Sequence, residues 1–135
     1  GGGADGSIII FNATELNDPG NVGIDDVLDE ISPFFFKRAN AITPGDFIQL
    51  AGAVSLSVCP GAPRVPFVIG RPAPKVPAPD FIVPQPVNTT DELLAAFAAV
   101  DFSPAEFIAL LASHTAAGAD DFSPPLQGVP FDSTP

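Results

Sequence analysis

Apolar side chains recur at intervals of three and four residues in the first third of the chain, and this spacing predicts an amphipathic helix. The positions are Ile24, Val27, Leu28, Ile31, Phe34 and Phe35. Asp25, Asp26 and Asp29 lie on its first turns, where the positive end of the helix dipole favours acids. Pro33 predicts a kink or a break within this helix, because proline removes one intrahelical hydrogen bond.

The sequence predicts three further helices, two of them from capping signals. Thr43-Pro44-Gly45-Asp46 places a hydroxyl at the N-cap, proline at N1 and an acid at N3, ahead of the apolar run FIQLAGAVSLSV. The small residues of that run predict close burial. The stretch TTDELLAAFAAV indicates a short helix, and Ser103-Pro104-Ala105-Glu106 has the pattern of a capping box that opens the next one. The run SIIIF is compatible with a strand or with a buried helical turn.

Proline clusters predict where regular structure is interrupted. Nine prolines occur in the 27 residues from Pro60 to Pro86, which excludes a helix or a central strand over most of that stretch. It is therefore a long ordered loop or a linker. GGGADGS and DDFSPPLQGVPFDSTP also have the composition of loops. Together the patterns predict an all-α protein with proline-rich loops and no sheet.

Composition limits the function classes. A chain of 135 residues with 46% apolar content can build one modest core, and its net charge of −11 argues against binding to nucleic acid or to anionic membranes. No apolar run approaches the roughly 18 to 20 residues of a membrane span. Seventeen prolines and no Met, Trp or Tyr are unusual for a complete domain. We therefore expect an internal piece of a longer protein, with any export signal upstream of Gly1.

The single cysteine, Cys59, leaves two interpretations open. Taken alone, its turn-rich surroundings favour a buried free thiol over a disulfide with a partner outside this segment. Two glycosylation sequons, Asn12-Ala13-Thr14 and Asn88-Thr89-Thr90, favour a secreted protein in an oxidising environment, where an unpaired cysteine finds a partner.

The single histidine, His114, shares one predicted helix face with Phe107, Leu110 and Leu111, so we expect it to point inward. Spacing alone favours a core histidine that is hydrogen-bonded to a carbonyl or to water. The alternative is a ligand of a metal or haem iron. The chain offers no second histidine for a zinc cluster, so haem iron is the better ligand hypothesis.

Several sequence blocks resemble the fungal secreted class II haem peroxidases of the ligninolytic group, in their order and approximate spacing. The blocks are GGGADGS, NVGIDD, ITPGDFIQLAGAVSLSVCPGAPR, GRPAP, PAPDFIVPQPV, FSPAEFIALLASHTAAGAD and PFDSTP. The resemblance implies an all-α, two-domain haem peroxidase fold. Residues 1–60 would belong to the distal half, residues 61–90 to a proline-rich connecting loop, and residues 91–135 to the start of the proximal half with the haem-ligand helix.

The resemblance also implies roles for individual residues. His114 matches the axial ligand of the haem b iron, and Asn21 matches the asparagine that hydrogen-bonds the distal histidine; on its own, Asn21 would be interpreted as a turn residue. Cys59 matches a disulfide cysteine whose partner lies upstream. The distal histidine and its arginine are expected before Gly1, so this segment alone is not expected to be a competent peroxidase.

Metal sites follow from the same resemblance. One calcium ion would be held by Gly3, Asp5 and Ser7, and a second by Thr115, Asp132 and Thr134. Oxygen donors on turns suit Ca²⁺, although each loop taken alone reads as a glycine-rich turn or a local side-chain cap. Asp120 matches a manganese ligand of the manganese-oxidising members, and Ala109 stands where aromatic-oxidising members carry a surface Trp.

The function that the resemblance implies is reduction of hydrogen peroxide coupled to one-electron oxidation of Mn²⁺ or phenolic, lignin-derived compounds. We expect a secreted, extracellular monomer that contains haem b and two Ca²⁺, with Mn²⁺ as substrate, and that binds neither nucleic acid nor membranes. Two alternatives are a low-potential peroxidase without a manganese site and a non-enzymatic, calcium-binding secreted module.

Overall fold

The computed structural model describes residues 4–85 and 87–113, and the chain divides into two compact units, Gly1–Gln85 and Pro86–Pro135. Every regular element in the described residues is helical, which confirms the predicted all-α class. The elements of the first unit are α1 (Ser7–Ile10), α2 (Asn12–Glu15), a 3₁₀ turn (Pro19–Asn21), α3 (Ile24–Phe36) and α4 (Pro44–Ser57). Those of the second unit are α5 (Thr90–Ala98) and α6 (Pro104–Leu111).

The hydrophobic core of the first unit is formed by residues of α1, α3 and the start of α4. Ile9 of α1 packs with Leu28 and Phe35 of α3, and all three are buried. The ring of Phe35 also lies 5.5 Å from that of Phe47 at the start of α4. The run SIIIF, for which a strand and a helical turn were both open, is therefore a helical turn that presents Ile9 to the core.

The sequence predicts a kink or a break at Pro33, and the structure rules out the break: α3 runs without interruption from Ile24 to Phe36. Pro33 lies in the last turn of the helix, so the missing N–H removes a single hydrogen bond near an end that already has free carbonyls. Burial of Phe35 two residues later holds that turn in place. At the other end Gly23 precedes the helix with φ +84°, a conformation that favours glycine.

Helix α4 begins where the capping signal predicts. The Thr43 hydroxyl accepts a hydrogen bond from the Asp46 amide at 3.3 Å, and Pro44 occupies the first turn. The close burial predicted for the rest of this helix is wrong for the described residues. Only its first turn is buried, while apolar side chains such as Leu50 and Val54 are exposed.

The proline-rich segment, residues 60–85, contains neither helix nor strand and belongs to the first unit. Because the segment forms neither a helix nor a strand, its amide N–H groups must find acceptors outside regular structure. Three buried carboxylates of the helical part accept from four of these amides: Asp46 accepts from Gly70 and Arg71, Glu15 from Ala78, and Asp18 from Phe81. Of the two possibilities that the sequence left open, the segment is an ordered loop.

In the part of the second unit that the structure describes, three aromatic rings pack together. Phe97 of α5 lies 4.2 Å from Phe107 of α6 and 6.0 Å from Phe102, measured between ring centroids. The inward apolar face predicted for α6 is confirmed only at Phe107, which is buried; Leu110 and Leu111 are 48% and 41% exposed. No helix in the described parts of the chain is long and apolar enough to cross a membrane.

Candidate functional site

A cavity of about 520 Å³ in the first unit brings together part of the predicted site. Asp5 and Ser7 of the glycine-rich loop and Asn21 of the 3₁₀ turn line it. The proline-rich segment closes another side through Pro79 and Ile82. Residues predicted for the first calcium site and for support of the distal histidine therefore border one space, although they are separated along the chain.

Two residues proposed as calcium ligands, Asp5 and Ser7, already take part in hydrogen bonds within the protein. Asp5 Oδ1 accepts the Ser7 amide at 3.0 Å, which is a local side-chain cap of the kind the loop could form without metal. The Ser7 hydroxyl donates to Glu15 Oε2 at 3.1 Å. Carboxylate and hydroxyl oxygens suit Ca²⁺, but Gly3 lies outside the described residues. Within the described ranges no group of three or more His, Cys, Asp or Glu side chains is arranged to hold a metal.

Glu15 is the residue of this site that the sequence analysis missed. Its side chain is 5% exposed, and its two carboxylate oxygens accept from the Ser7 hydroxyl and from the Ala78 amide at 3.1 and 2.9 Å. It therefore joins the glycine-rich loop to the proline-rich segment. No local signal marks it, because these partners lie 8 and 63 residues away and a glutamate at the end of a short polar helix resembles a solvated acid.

Asn21 is held in one orientation by Glu15. Its Nδ2 donates to the backbone carbonyl of Glu15 at 2.9 Å, and the turn that carries it is capped by Asp18, whose Oδ1 accepts the Gly20 amide. A carbonyl only accepts, so the nitrogen of the amide must face Glu15. The Asn21 Oδ1 consequently remains an acceptor with no partner among residues 4–85, which is the atom that an imidazole N–H would need.

A second buried carboxylate, Asp46, fixes the proline-rich segment to α4. It accepts from the Gly70 amide at 2.7 Å and pairs with Arg71 Nη1 at 2.9 Å. The Gly70 hydrogen bond is the main cause that holds the pKa of Asp46 below its ordinary value, and the Arg71 contacts add to it against the opposing effect of burial. This carboxylate is charged at neutral pH and serves as a structural clamp.

Cys59 is exposed, so the buried free thiol favoured by the sequence alone is wrong. Its Sγ lies 3.8 Å from the Ser55 carbonyl, at the end of α4, and no cysteine partner exists in this chain. The pairing with an upstream cysteine that the resemblance implies stays a prediction.

Most of the other predicted site residues lie outside the described residues. They are Gly3, His114, Thr115, Asp120, Asp132 and Thr134. The haem, manganese and second calcium assignments therefore stay predictions. Ala109, by contrast, lies in the described helix α6.

Comparison with known proteins identifies the class of this helical chain. A family model described as peroxidase matches residues 1–130, so the chain belongs to the peroxidase family. Among curated relatives, it is 54% identical over its whole length to manganese peroxidase 3 of Phlebia radiata and 48% identical to versatile peroxidase VPS1 of Pleurotus eryngii. It is 47% identical to ligninase LG2 of Phanerodontia chrysosporium. The chain spans 36–37% of the length of these relatives. The resemblance to ligninolytic peroxidases is confirmed.

Proposed function

We propose that this chain is part of a haem peroxidase that reduces hydrogen peroxide and oxidises Mn²⁺ or phenolic, lignin-derived compounds in one-electron steps. The family match over residues 1–130, at 54% identity to a manganese peroxidase, is the observation that carries the proposal. Bound haem supplies the redox chemistry, and the protein positions and tunes it. Since the chain spans about a third of its relatives, the activity belongs to the longer protein.

His114 is the proposed axial ligand of the haem iron. The described part of α6 supports this placement, because the Ser103–Glu106 capping box fixes its start and Phe107 anchors it in the core. His114→Ala in the full-length protein should abolish the spectrum of five-coordinate, histidine-ligated ferric haem and most turnover, with partial recovery of both on addition of imidazole.

Ser113→Ala is the matched control for this experiment. The Ser113 hydroxyl donates to the Leu110 carbonyl of α6 and is exposed, so its loss should leave the haem spectrum unchanged. A His114→Ala protein with the native spectrum and full activity would refute the assignment, and His114 would be an ordinary core histidine.

Asn21 is the proposed positioning residue for the distal histidine. Its amide is anchored on the Glu15 carbonyl, which leaves Oδ1 directed away from that carbonyl as an acceptor for an imidazole N–H. Asn21→Leu should lower kcat/KM for hydrogen peroxide by roughly 10- to 100-fold, because an unsupported base is misplaced and its protonation changes. The acid limb of the pH profile should shift as well.

Asn17→Ala provides the comparison for Asn21. The Asn17 side chain also donates to backbone carbonyls, those of Ala13 and Thr14, but it is exposed and does not line the cavity. The Asn17→Ala substitution should therefore leave kcat/KM for hydrogen peroxide and the pH profile unaltered. Equal effects of the two substitutions would assign Asn21 a structural role only.

Two calcium ions are part of the proposal. The Gly3 carbonyl, Asp5 and Ser7 would hold the first, and Thr115, Asp132 and Thr134 the second. Glu15 would support the first site by fixing the Ser7 hydroxyl. Metal analysis should find two Ca²⁺ per full-length protein, and Asp5→Ala should reduce this to one. A calcium-free native protein would remove both sites from the proposal.

Asp120 is the proposed manganese ligand, and Ala109 at the aromatic-oxidising position supports this subtype because it removes the alternative surface Trp. Asp120→Ala should weaken Mn²⁺ oxidation far more than oxidation of small phenols, while Asp121→Ala, an adjacent acid, should change neither. Unaltered Mn²⁺ oxidation in Asp120→Ala would favour a peroxidase without a manganese site. Absence of any peroxidase activity in the full-length protein would favour the calcium-binding module.

The proposal places the protein outside the cell as a monomer. Its two sequons and the exposed position of Cys59, accessible to an upstream partner, support secretion into an oxidising environment. Mass spectrometry of the non-reduced protein would identify that partner, and size-exclusion chromatography with light scattering would test the oligomeric state.

A further inference from the structure

We propose that Asn12 carries an N-linked glycan in the mature protein and that Asn88, in the other sequon, does not. Both sites satisfy the Asn-X-Thr rule, so the sequence does not distinguish them. The structure does, because the two asparagine side chains have different surroundings. The inference rests on the proposed secretion of the protein, since glycosylation takes place in the secretory pathway.

Asn12 presents an unengaged side-chain nitrogen to solvent. It is the exposed first residue of α2, and its Oδ1 accepts the Ala13 amide at 2.7 Å. Its Nδ2, the atom to which a glycan is joined, has no hydrogen-bond partner within residues 4–85. Thr14 is exposed too, and Asn12 does not line the cavity. A glycan on Asn12 would therefore break no contact and cover no predicted site.

Asn88 is part of the capping structure of α5. It is half-buried, and its Nδ2 donates to Glu92 Oε2 at 3.4 Å. The same oxygen accepts from the Thr89 amide at 2.7 Å and from the Thr89 hydroxyl at 3.0 Å, which closes the capping box. A sugar on Nδ2 would crowd this carboxylate.

The modification is a group transfer from a lipid-linked pyrophosphate oligosaccharide. A bond forms between Asn12 Nδ2 and the anomeric carbon of the first sugar, and the bond from that carbon to the pyrophosphate oxygen breaks. One Nδ2 proton is lost and the lipid pyrophosphate leaves. No oxidant or reductant is involved.

Glycopeptide mass spectrometry of the full-length protein, secreted from a filamentous fungal host, tests the assignment directly. We expect a glycan on the peptide that contains Asn12 and an unmodified peptide around Asn88. Asn12→Gln and Thr14→Ala should each remove the gel-mobility shift of one glycan that an endoglycosidase removes from the wild type. Asn88→Gln and Thr90→Ala, the matched pair, should leave that shift intact.

A glycan on Asn88, or an unmodified Asn12 in the wild-type protein, would overturn the inference. The wild-type peptides decide this even where a variant fails to fold. Peroxidase activity measured on the same samples separates this inference from the proposed function. Asn12→Gln should remain active, and a glycosylated Asn12 in a wild-type protein without peroxidase activity would defeat the proposed function and leave the glycan site standing.

Discussion

The carboxylates of the two units differ in burial and in how far along the chain their hydrogen-bond donors lie. In the first, Glu15, Asp18 and Asp46 are buried and accept hydrogen bonds from amides of the proline-rich segment, 24 to 63 residues away. In the second, Glu92 and Glu106 are exposed and accept from Thr89 and Ser103, three residues earlier. The same functional group thus acts over long range where proline prevents regular structure, and locally where a helix begins.

This contrast has a physical reason. A proline-rich segment cannot satisfy its remaining amides by forming a helix or a sheet, so acceptors must come from elsewhere in the fold. Charged acceptors make the strongest of these hydrogen bonds. Substitution of a buried carboxylate should therefore lower the stability of the full-length protein more than substitution of an exposed one.

The largest effect is expected at Glu15. Glu15→Ala removes the acceptor of the buried Ser7 hydroxyl and of the Ala78 amide, which should lower the free energy of unfolding by about 2–4 kcal/mol. Urea-induced unfolding measures this change. Glu30→Ala, at an exposed acid of α3, should change it by less than about 0.5 kcal/mol. Similar losses of unfolding free energy in the two variants would show that burial does not set the contribution of Glu15 to stability.

A smaller effect is expected for Asp46→Asn, because asparagine retains one acceptor oxygen but loses the charge that pairs with Arg71. The pKa of Asp46 is lowered in the folded protein, so its charge stabilises the fold above the ordinary value of 3.8. That contribution is lost as the pH falls below 3.8 and through the folded pKa.

Thermal unfolding as a function of pH checks the Asp46 prediction. The variant should melt at a lower temperature than the wild type at pH 6, and the two proteins should converge only as the pH falls from 3.8 through the lowered folded pKa of Asp46. Asp29→Asn, at an exposed position, should follow the wild type throughout. A gap that stays constant down to acid pH would show that Asp46 acts through packing and not through its charge.

In the second unit, loss of an N-cap side chain should lower stability by less than the loss of a buried carboxylate in the first unit. Ser103→Ala leaves the Glu106 amide without its side-chain acceptor and should destabilise α6 by about 1 kcal/mol. Hydrogen exchange of α6 amides detects this as faster local opening. Ser55→Ala, within α4, removes only a donor to the Gly52 carbonyl and should leave exchange nearly unaltered.

The smallest effect is expected at the carboxylate of the same capping box. The Ser103 hydroxyl, and after it the Ser103 amide, hold the pKa of Glu106 below its ordinary value. Carboxyl NMR titration should show this lowered pKa, and Ser103→Ala should raise it by removing the hydroxyl while the backbone amide remains. Glu106→Gln should lower stability by less than Ser103→Ala, because the glutamine oxygen still accepts from the Ser103 amide. A larger loss of stability for Glu106→Gln than for Ser103→Ala would show that the carboxylate, and not the N-cap hydroxyl, contributes more to the capping box.

The sequence by itself determined the features that depend on neighbouring residues. The Thr43 cap of α4 and the Ser103–Glu106 capping box were predicted because donor and acceptor lie within one helical turn. The helical period of α3 and the exclusion of regular structure from the proline-rich segment were predicted for the same reason. The resemblance to peroxidases also came from short blocks, and it supplied Asn21 as a candidate before its geometry was seen.

Only the tertiary structure decided which of these local features are buried and which distant residues meet. Glu15 and Asp46 hold distant segments together through hydrogen bonds to residues 8 to 63 positions away, and no local sequence pattern encodes these contacts. Cys59 is exposed, because burial depends on which elements pack against a residue. Helix α3 continues through Pro33, because this proline lies in the last turn of the helix. Local sequence sets hydrogen bonds that close within a turn, whereas long-range contacts require the folded chain to bring their atoms together.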